Sequence, residues 1–168
     1  MKVSRYQGRW TKNPTGRLSL AEALDFVKSR GGDVLDDVLW LVAEHEGWTL
    51  REAGLEDADA RYFRFPLDDN DRDSPIKWEK LLNDQGKVPV FLRAEVLESD
   101  EHLLYVISHE FFELAELKRV FEERSGWMTY EALAHLIEPR LGGAIHEAAV
   151  SRSDDLVHRL REERGVEP

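Results

Sequence analysis

The sequence predicts an α+β fold: a mainly helical domain with a small sheet and one long central amphipathic helix. Residues 99–124 repeat apolar side chains at the helical period, which predicts that central helix. Shorter segments with helix-capping signals flank it, and two short segments, 60–65 and 87–93, are rich in strand-forming residues. Helices therefore dominate, with strands between them.

The bulk properties favour one packed domain over residues 1–168, with a hydrophobic content of 42% and five tryptophans. There is no cysteine, so any metal would be held by His, Asp and Glu. No signal peptide or apolar run of membrane-spanning length is present, which favours a cytoplasmic location. Export as part of a larger protein stays open.

The net charge of -11 argues against a nucleic-acid-binding surface and permits a basic protein partner. One alternative stays open, a small basic groove formed by Arg61, Arg64 and Arg93.

In the first third of the chain, residues 1–17 predict an extended arm or a first strand. Ser19 and Glu22 form a capping box that opens a helix ending near Arg30. The apolar residues of 33–47 predict a second helix, and the capping box after it, at 49–52, predicts a short helical turn.

In the middle third, residues 60–65 predict a strand and 68–73 a solvated acidic loop. Ser74 and Pro75 predict the start of a short helix that reaches Leu82. Residues 87–93 predict the clearest strand, and Pro89 within it predicts a position at a sheet edge.

In the last third, Gly126 is placed to end the long helix. Thr129 caps a shorter helix that Pro139 terminates, and a last helix follows from about Ala144 to Arg164. Residues 160–168 form a charged tail that we expect to fray.

One constellation in the central helix suggests chemistry: His109-Glu110-x-x-Glu113. A histidine and a carboxylate at i and i+4 share a helical face and can bind one metal ion. Glu110 stands where H-E-x-x-H metallohydrolases carry the general base that activates a metal-bound water. The sequence therefore predicts a divalent metal site, with zinc as the best-fitting ion.

Glu113 replaces the second histidine of that motif, which leaves the site one ligand short. His146 in the last helix is the best candidate for this ligand, and Asp154 and Asp155 are lesser ones. His158 lies three turns further along and is not expected to share an ion with His146.

A simpler interpretation stays open. Glu110 and Glu113 would be ordinary exposed helix residues, and His109 a hydrogen-bonded histidine at the edge of the core.

Three stretches from about Trp78 onward carry a resemblance. They are KWEKLLNDQGKVPVFLRAEVLESDE, SHEFFELAELKRVFE and LIEPRLGGAIHEAAV. This part of the chain resembles a type of C-terminal domain found in bacterial polymorphic-toxin-type proteins. The resemblance covers about half the chain, to about residue 157, and implies His109, Glu110, Glu113 and His146 as site residues. It also implies a setting in bacterial competition.

Two functions follow from the sequence. The first is a metal-dependent, zincin-like hydrolase, in which His109, Glu113 and His146 bind the ion and Glu110 accepts a proton from water. The strand at 87–93 would then edge the cleft and hold an extended peptide. The alternative is a non-enzymatic acidic binding protein, such as an immunity protein or adaptor, that neutralises a basic partner.

Overall fold

The computed structural model describes residues 2–4, 17–31, 34–43, 55, 58–62 and 72–165, and confirms the α+β fold. Its helices within these ranges are α1 (Leu20–Ser29), α2 (Asp100–Glu123), α3 (Tyr130–Ile137) and α4 (Ala144–Glu163). Its strands there are β1 (Lys2–Ser4), β2 (Val38–Val42), β3 (Ala58–Arg61), β4 (Pro75–Lys77), β5 (Val88–Leu92) and β6 (Trp127–Thr129). None of these helices is both long and apolar enough to cross a membrane.

The main sheet has the strand order β1-β3-β5-β2 and packs against α2. Strands β2 and β5 run parallel, whereas β3 is antiparallel to both of its neighbours. Every paired neighbour in this sheet is distant in sequence. Strands β4 and β6 form a separate two-stranded ribbon beside the far end of α2.

The helix predicted over 33–47 is wrong, because Val38–Val42 is strand β2. Its sequence VLWLV is a short apolar run, and such a run is compatible with a buried strand as well as with a helix. Parallel pairing with β5 satisfies the backbone groups on one side of β2, and Trp40 packs edge-on against Phe111 of α2 at 5.1 Å between ring centroids. Pairing with β5 makes this segment a strand and not a helix, and the local sequence does not reveal that pairing.

The strand predicted at 87–93 is confirmed as β5, but its predicted edge position is wrong, since it lies between β3 and β2. Val88 N donates to Asp37 O at 2.7 Å, so alternate residues from Val88 onward bond to the β2 side. Pro89 therefore faces the β3 side. The described pairs with β3 start only at Phe91, so the missing N–H of Pro89 breaks none of them.

The short helix predicted from Ser74 to Leu82 is also wrong in its first part. Pro75–Lys77 is strand β4, and a 3₁₀ turn, Trp78–Leu81, follows it. The predicted turn at 49–52 lies outside the described residues, as does most of the acidic loop at 68–73. Of the arm predicted over 1–17, Lys2–Ser4 is strand β1.

Helix α2 confirms the long central helix, and its N-terminal half is enclosed on all sides. The Ser99 hydroxyl caps it by accepting from His102 N at 3.3 Å. From His102 to Leu114 every side chain is buried, including His109, Glu110 and Glu113. The His109-Glu110-x-x-Glu113 constellation therefore lies inside the protein.

Helix α4 packs along α2, and its charged end is tied to the start of that helix. Arg161 binds Glu101 through two hydrogen bonds of 2.7 and 3.0 Å, and Arg164 lies 2.8 Å from Asp100. The segment predicted to fray from residue 160 is thus helical as far as Glu163.

Gly143 fixes where α4 begins. A Cβ at this position would lie 2.7 Å from the carbonyl oxygen of Leu136, closer than such atoms approach. The absence of a side chain lets the end of α3 and the start of α4 come together. This contact sets the position of His146, which lies in the first turn of α4.

We expect Gly143→Ala to lower the free energy of unfolding by about 1–3 kcal/mol, because the backbone of Leu136 cannot move aside freely. Urea unfolding would measure the loss, with Ala148→Ser at an exposed position of α4 as the control. A Gly143→Ala variant as stable as the wild type would show that this contact does not constrain the helix start.

Candidate metal centre

The three predicted ligands come together in the structure. His109 and Glu113 are one turn apart on α2, and His146 reaches them from the first turn of α4. His109 Nε2 lies 2.6 Å from Glu113 Oε2, and His146 Nδ1 lies 3.1 Å from the same oxygen. One ligand atom from each residue falls within 4.8 Å of the others, so this group could hold a metal ion.

The spacing is close to what an ion needs. Zinc–nitrogen bonds of about 2.0–2.1 Å in tetrahedral geometry separate two ligand atoms by about 3.3 Å. The His146–Glu113 distance of 3.1 Å is near that value, whereas the His109–Glu113 distance of 2.6 Å is that of a hydrogen bond. An ion would enter after His109 and Glu113 separate by about 0.7 Å.

Glu113 is also bonded from the sheet side. Tyr62, directly after β3, donates its hydroxyl hydrogen to Glu113 Oε1 at 3.0 Å. Sequence reasoning missed Tyr62, since it interpreted the segment only as a strand and the contact spans 51 positions. No spacing rule could have found it.

The charge of Glu113 is held by its neighbours. Burial acts to raise its pKa, but the positive charge and hydrogen bond of His109 and the hydrogen bond of His146 outweigh burial. Together they lower the pKa of Glu113 to about 2. The carboxylate is therefore ionised at neutral pH, as a metal ligand must be.

Glu110, the predicted base, behaves in the opposite way. It is completely buried, and burial raises its pKa well above the ordinary value, with the negative charge of Glu113 raising it further. Two neighbouring carboxyl groups of one helix thus have pKa values displaced in opposite directions. Such a separation is typical of sites that need one acid and one base.

The centre is enclosed. His109 is 1% exposed and Glu113 0%, whereas the side chain of His146 is 14% exposed. His146 is therefore the ligand through which solvent reaches the group. On the other side, His109 Nδ1 is buried with no hydrogen-bond partner among the described residues.

The lesser ligand candidates lie elsewhere. Asp154 and Asp155 are exposed on α4, and His158 pairs with Glu162 at 3.2 Å. Within the described part of the chain, no further group of three such side chains converges on one point. The simpler interpretation, in which Glu110 and Glu113 are exposed helix residues, is wrong because both are fully buried.

A second buried pair lies nearer the start of α2. His102 Nε2 is 2.9 Å from Asp59 Oδ2, and both residues are buried. No local signal predicts this pairing between β3 and α2, because the two residues lie 43 positions apart. Beside it, Arg93 is only 5% exposed and donates to the carbonyl oxygen of Leu55, so it does not line the basic groove considered from the sequence.

No protein-family profile, curated protein or solved structure matches this chain in the comparisons. The ligand geometry is therefore the basis for any functional proposal.

We expect Glu113→Gln to destabilise the protein by about 3–5 kcal/mol at neutral pH, because it removes the charge that two histidines and Tyr62 surround. The lowered pKa gives wild-type stability that is fully present above the ordinary pKa of 4.5 and is lost as the pH falls toward 2. The difference between variant and wild type should shrink over that window in metal-free protein. Unfolding curves at a series of pH values would measure it, and a constant difference down to the lowest pH would contradict the assignment.

We expect Glu110→Gln to change the stability in the opposite direction from Glu113→Gln. A raised pKa means that the folded protein holds a proton which the unfolded chain releases above pH 4.5, so wild-type stability falls as the pH rises past that value. Removing the ionisable group should stabilise the metal-free protein at pH 7 by on the order of 1 kcal/mol or more, with no gain at pH 4. Equal effects at both pH values would contradict this interpretation.

Proposed function

We propose that this protein binds one divalent metal ion through His109, Glu113 and His146 and uses it for hydrolysis. The observation that carries the proposal is the convergence of two imidazole nitrogens and one carboxylate oxygen from α2 and α4. Two histidines and one glutamate are the ligand set of a class of catalytic zinc sites, which leave a fourth position for water.

Zinc fits this set best because two histidines and one glutamate hold zinc in metallohydrolases, and because Glu110 follows His109 directly on α2. Two histidines and one carboxylate also bind iron(II) in non-haem oxygenases, so iron is the main competitor. A bound cation would activate water and lower the pKa of the nearby Glu110 carboxyl group. Glu110 then has the role of base, since its buried carboxylate would accept a proton from that water.

The enclosure of the centre restricts its substrate. His146 is the least buried of the three ligands, so a substrate would approach from the start of α4. Strand β5 lies between two other strands, so it does not offer an edge to an extended peptide, in contrast to the sequence-based expectation. We therefore propose a small hydrolysable group as the substrate.

A second candidate is a non-enzymatic acidic binding protein in which this cluster is structural. The observation that favours it is that Glu113 is already satisfied by three hydrogen bonds, from Tyr62, His109 and His146. The net charge of -11 would then serve a basic protein partner. The setting in bacterial competition, implied by the resemblance, stays a prediction under both candidates.

We expect protein purified without a metal-affinity column from zinc-supplemented medium to carry about one ion per chain. His146→Ala should lose the ion, because it removes one of three ligands, whereas His158→Ala on the exposed side of the same helix should keep it. Elemental analysis for zinc, iron and manganese, with thermal unfolding before and after chelation, would measure both. Metal-free wild type that no divalent ion stabilises would rule out the first candidate.

The two candidates separate on Glu110→Gln. If the centre is catalytic, this variant should bind zinc as the wild type does and hydrolyse 4-nitrophenyl acetate, a generic ester probe, about 100-fold more slowly. Zinc-loaded wild type with no hydrolysis above that of Glu110→Gln would favour the structural role.

A further inference from the structure

The two oxygens of the Glu113 carboxylate have separate partners. Oε2 faces both imidazoles, at 2.6 Å from His109 Nε2 and 3.1 Å from His146 Nδ1. Oε1 accepts a hydrogen bond from the Tyr62 hydroxyl at 3.0 Å. The side toward the histidines and the side toward the sheet are thus chemically distinct.

Tyr62 is well placed to keep this distinction. Its side chain is only 5% exposed, so its hydroxyl cannot exchange the glutamate for bulk water without opening the core. It follows β3 directly, and β3 is hydrogen-bonded on both sides in the sheet. A donor on a rigid element therefore fixes the plane of a carboxylate on α2.

We propose that Tyr62 is a positioning residue that makes Glu113 a one-oxygen metal ligand, bound through Oε2 alone. The inference rests on the proposed metal site and deepens it. With Oε1 held by Tyr62, Glu113 cannot fold over the ion and occupy a second coordination position. That position stays open for water, as catalytic zinc sites require.

The hydrogen bond from Tyr62 also reduces the conformational entropy that Glu113 loses when a metal ion binds. A carboxylate already held in one rotamer loses less conformational freedom when an ion arrives. Partners of this kind around metal ligands typically contribute 10–100-fold in affinity. Tyr62 would therefore influence both how strongly and in what geometry the ion is held.

Cobalt(II) titration of metal-free protein tests the proposal, because four-coordinate cobalt(II) absorbs more strongly in the visible than five-coordinate cobalt(II). Tyr62→Phe removes one oxygen atom and should weaken cobalt binding about 10–100-fold. Its visible absorption should also fall per bound ion as Glu113 becomes a two-oxygen ligand. Tyr130→Phe, at the start of α3, is the matched control and should reproduce the wild-type titration and spectrum.

The outcomes distinguish failure of the metal site from failure of the role of Tyr62. Wild type that binds neither cobalt nor zinc would overturn the metal site and this inference with it. Wild type that binds cobalt, together with Tyr62→Phe that binds within twofold of it and has the same spectrum, would overturn the role of Tyr62 alone. If Tyr62→Phe does not fold, the spectrum of cobalt-loaded wild type decides. The strong absorption of four-coordinate cobalt(II) would support a one-oxygen Glu113 ligand, and the weaker absorption of five-coordinate cobalt(II) would overturn it.

Discussion

The carboxylate of Glu113 is the group around which this structure is arranged. It is fully buried, and an isolated charge in such a place would cost several kcal/mol. Three donors from three elements compensate for it: Tyr62 after β3, His109 one turn earlier on α2, and His146 at the start of α4. The position of the sheet against α2 and the start of α4 are both tied to this one charge.

Glu113 and the two histidines form a buried hydrogen-bonded group without an ion, and the same side chains could hold a metal ion. The two imidazoles hydrogen-bond to the carboxylate in the ion-free protein, and their ring nitrogens would offer lone pairs to a cation. The change would need a movement of less than about 1 Å, since zinc needs ligand atoms about 3.3 Å apart. The protein thus has a stable core without an ion and has the geometry to receive one.

The observed helices could be predicted from local signals, whereas the strands depend on partners that are distant in sequence. The capping box at Ser19, the glycine at 126 and the apolar period of 99–124 each depend on neighbours within a turn or two, and α1 and α2 follow them closely. Strand β2 and the interior position of Pro89 depend on which strand lies alongside. In the site, the i, i+4 spacing identified His109 and Glu113, and His146 was found as the missing third ligand. Tyr62 and the Asp59–His102 pair required the fold itself.

The order of the strands has a consequence for how the chain folds. Val38 pairs with Val88, and Lys2 with Arg61, so each of these contacts closes a loop of about fifty residues or more. Helices α2, α3 and α4, by contrast, are separated only by the short strand β6 and by turns, and His146 meets Glu113 across 33 positions. Contacts between near neighbours generally form faster than long-range strand pairing. We therefore expect the two histidines and Glu113 to come together in the helical half of the chain before strand pairing brings Tyr62 into contact with them. An ion bound at that stage would stabilise the helical half during folding, and Tyr62 would contact Glu113 only after the three ligands had come together.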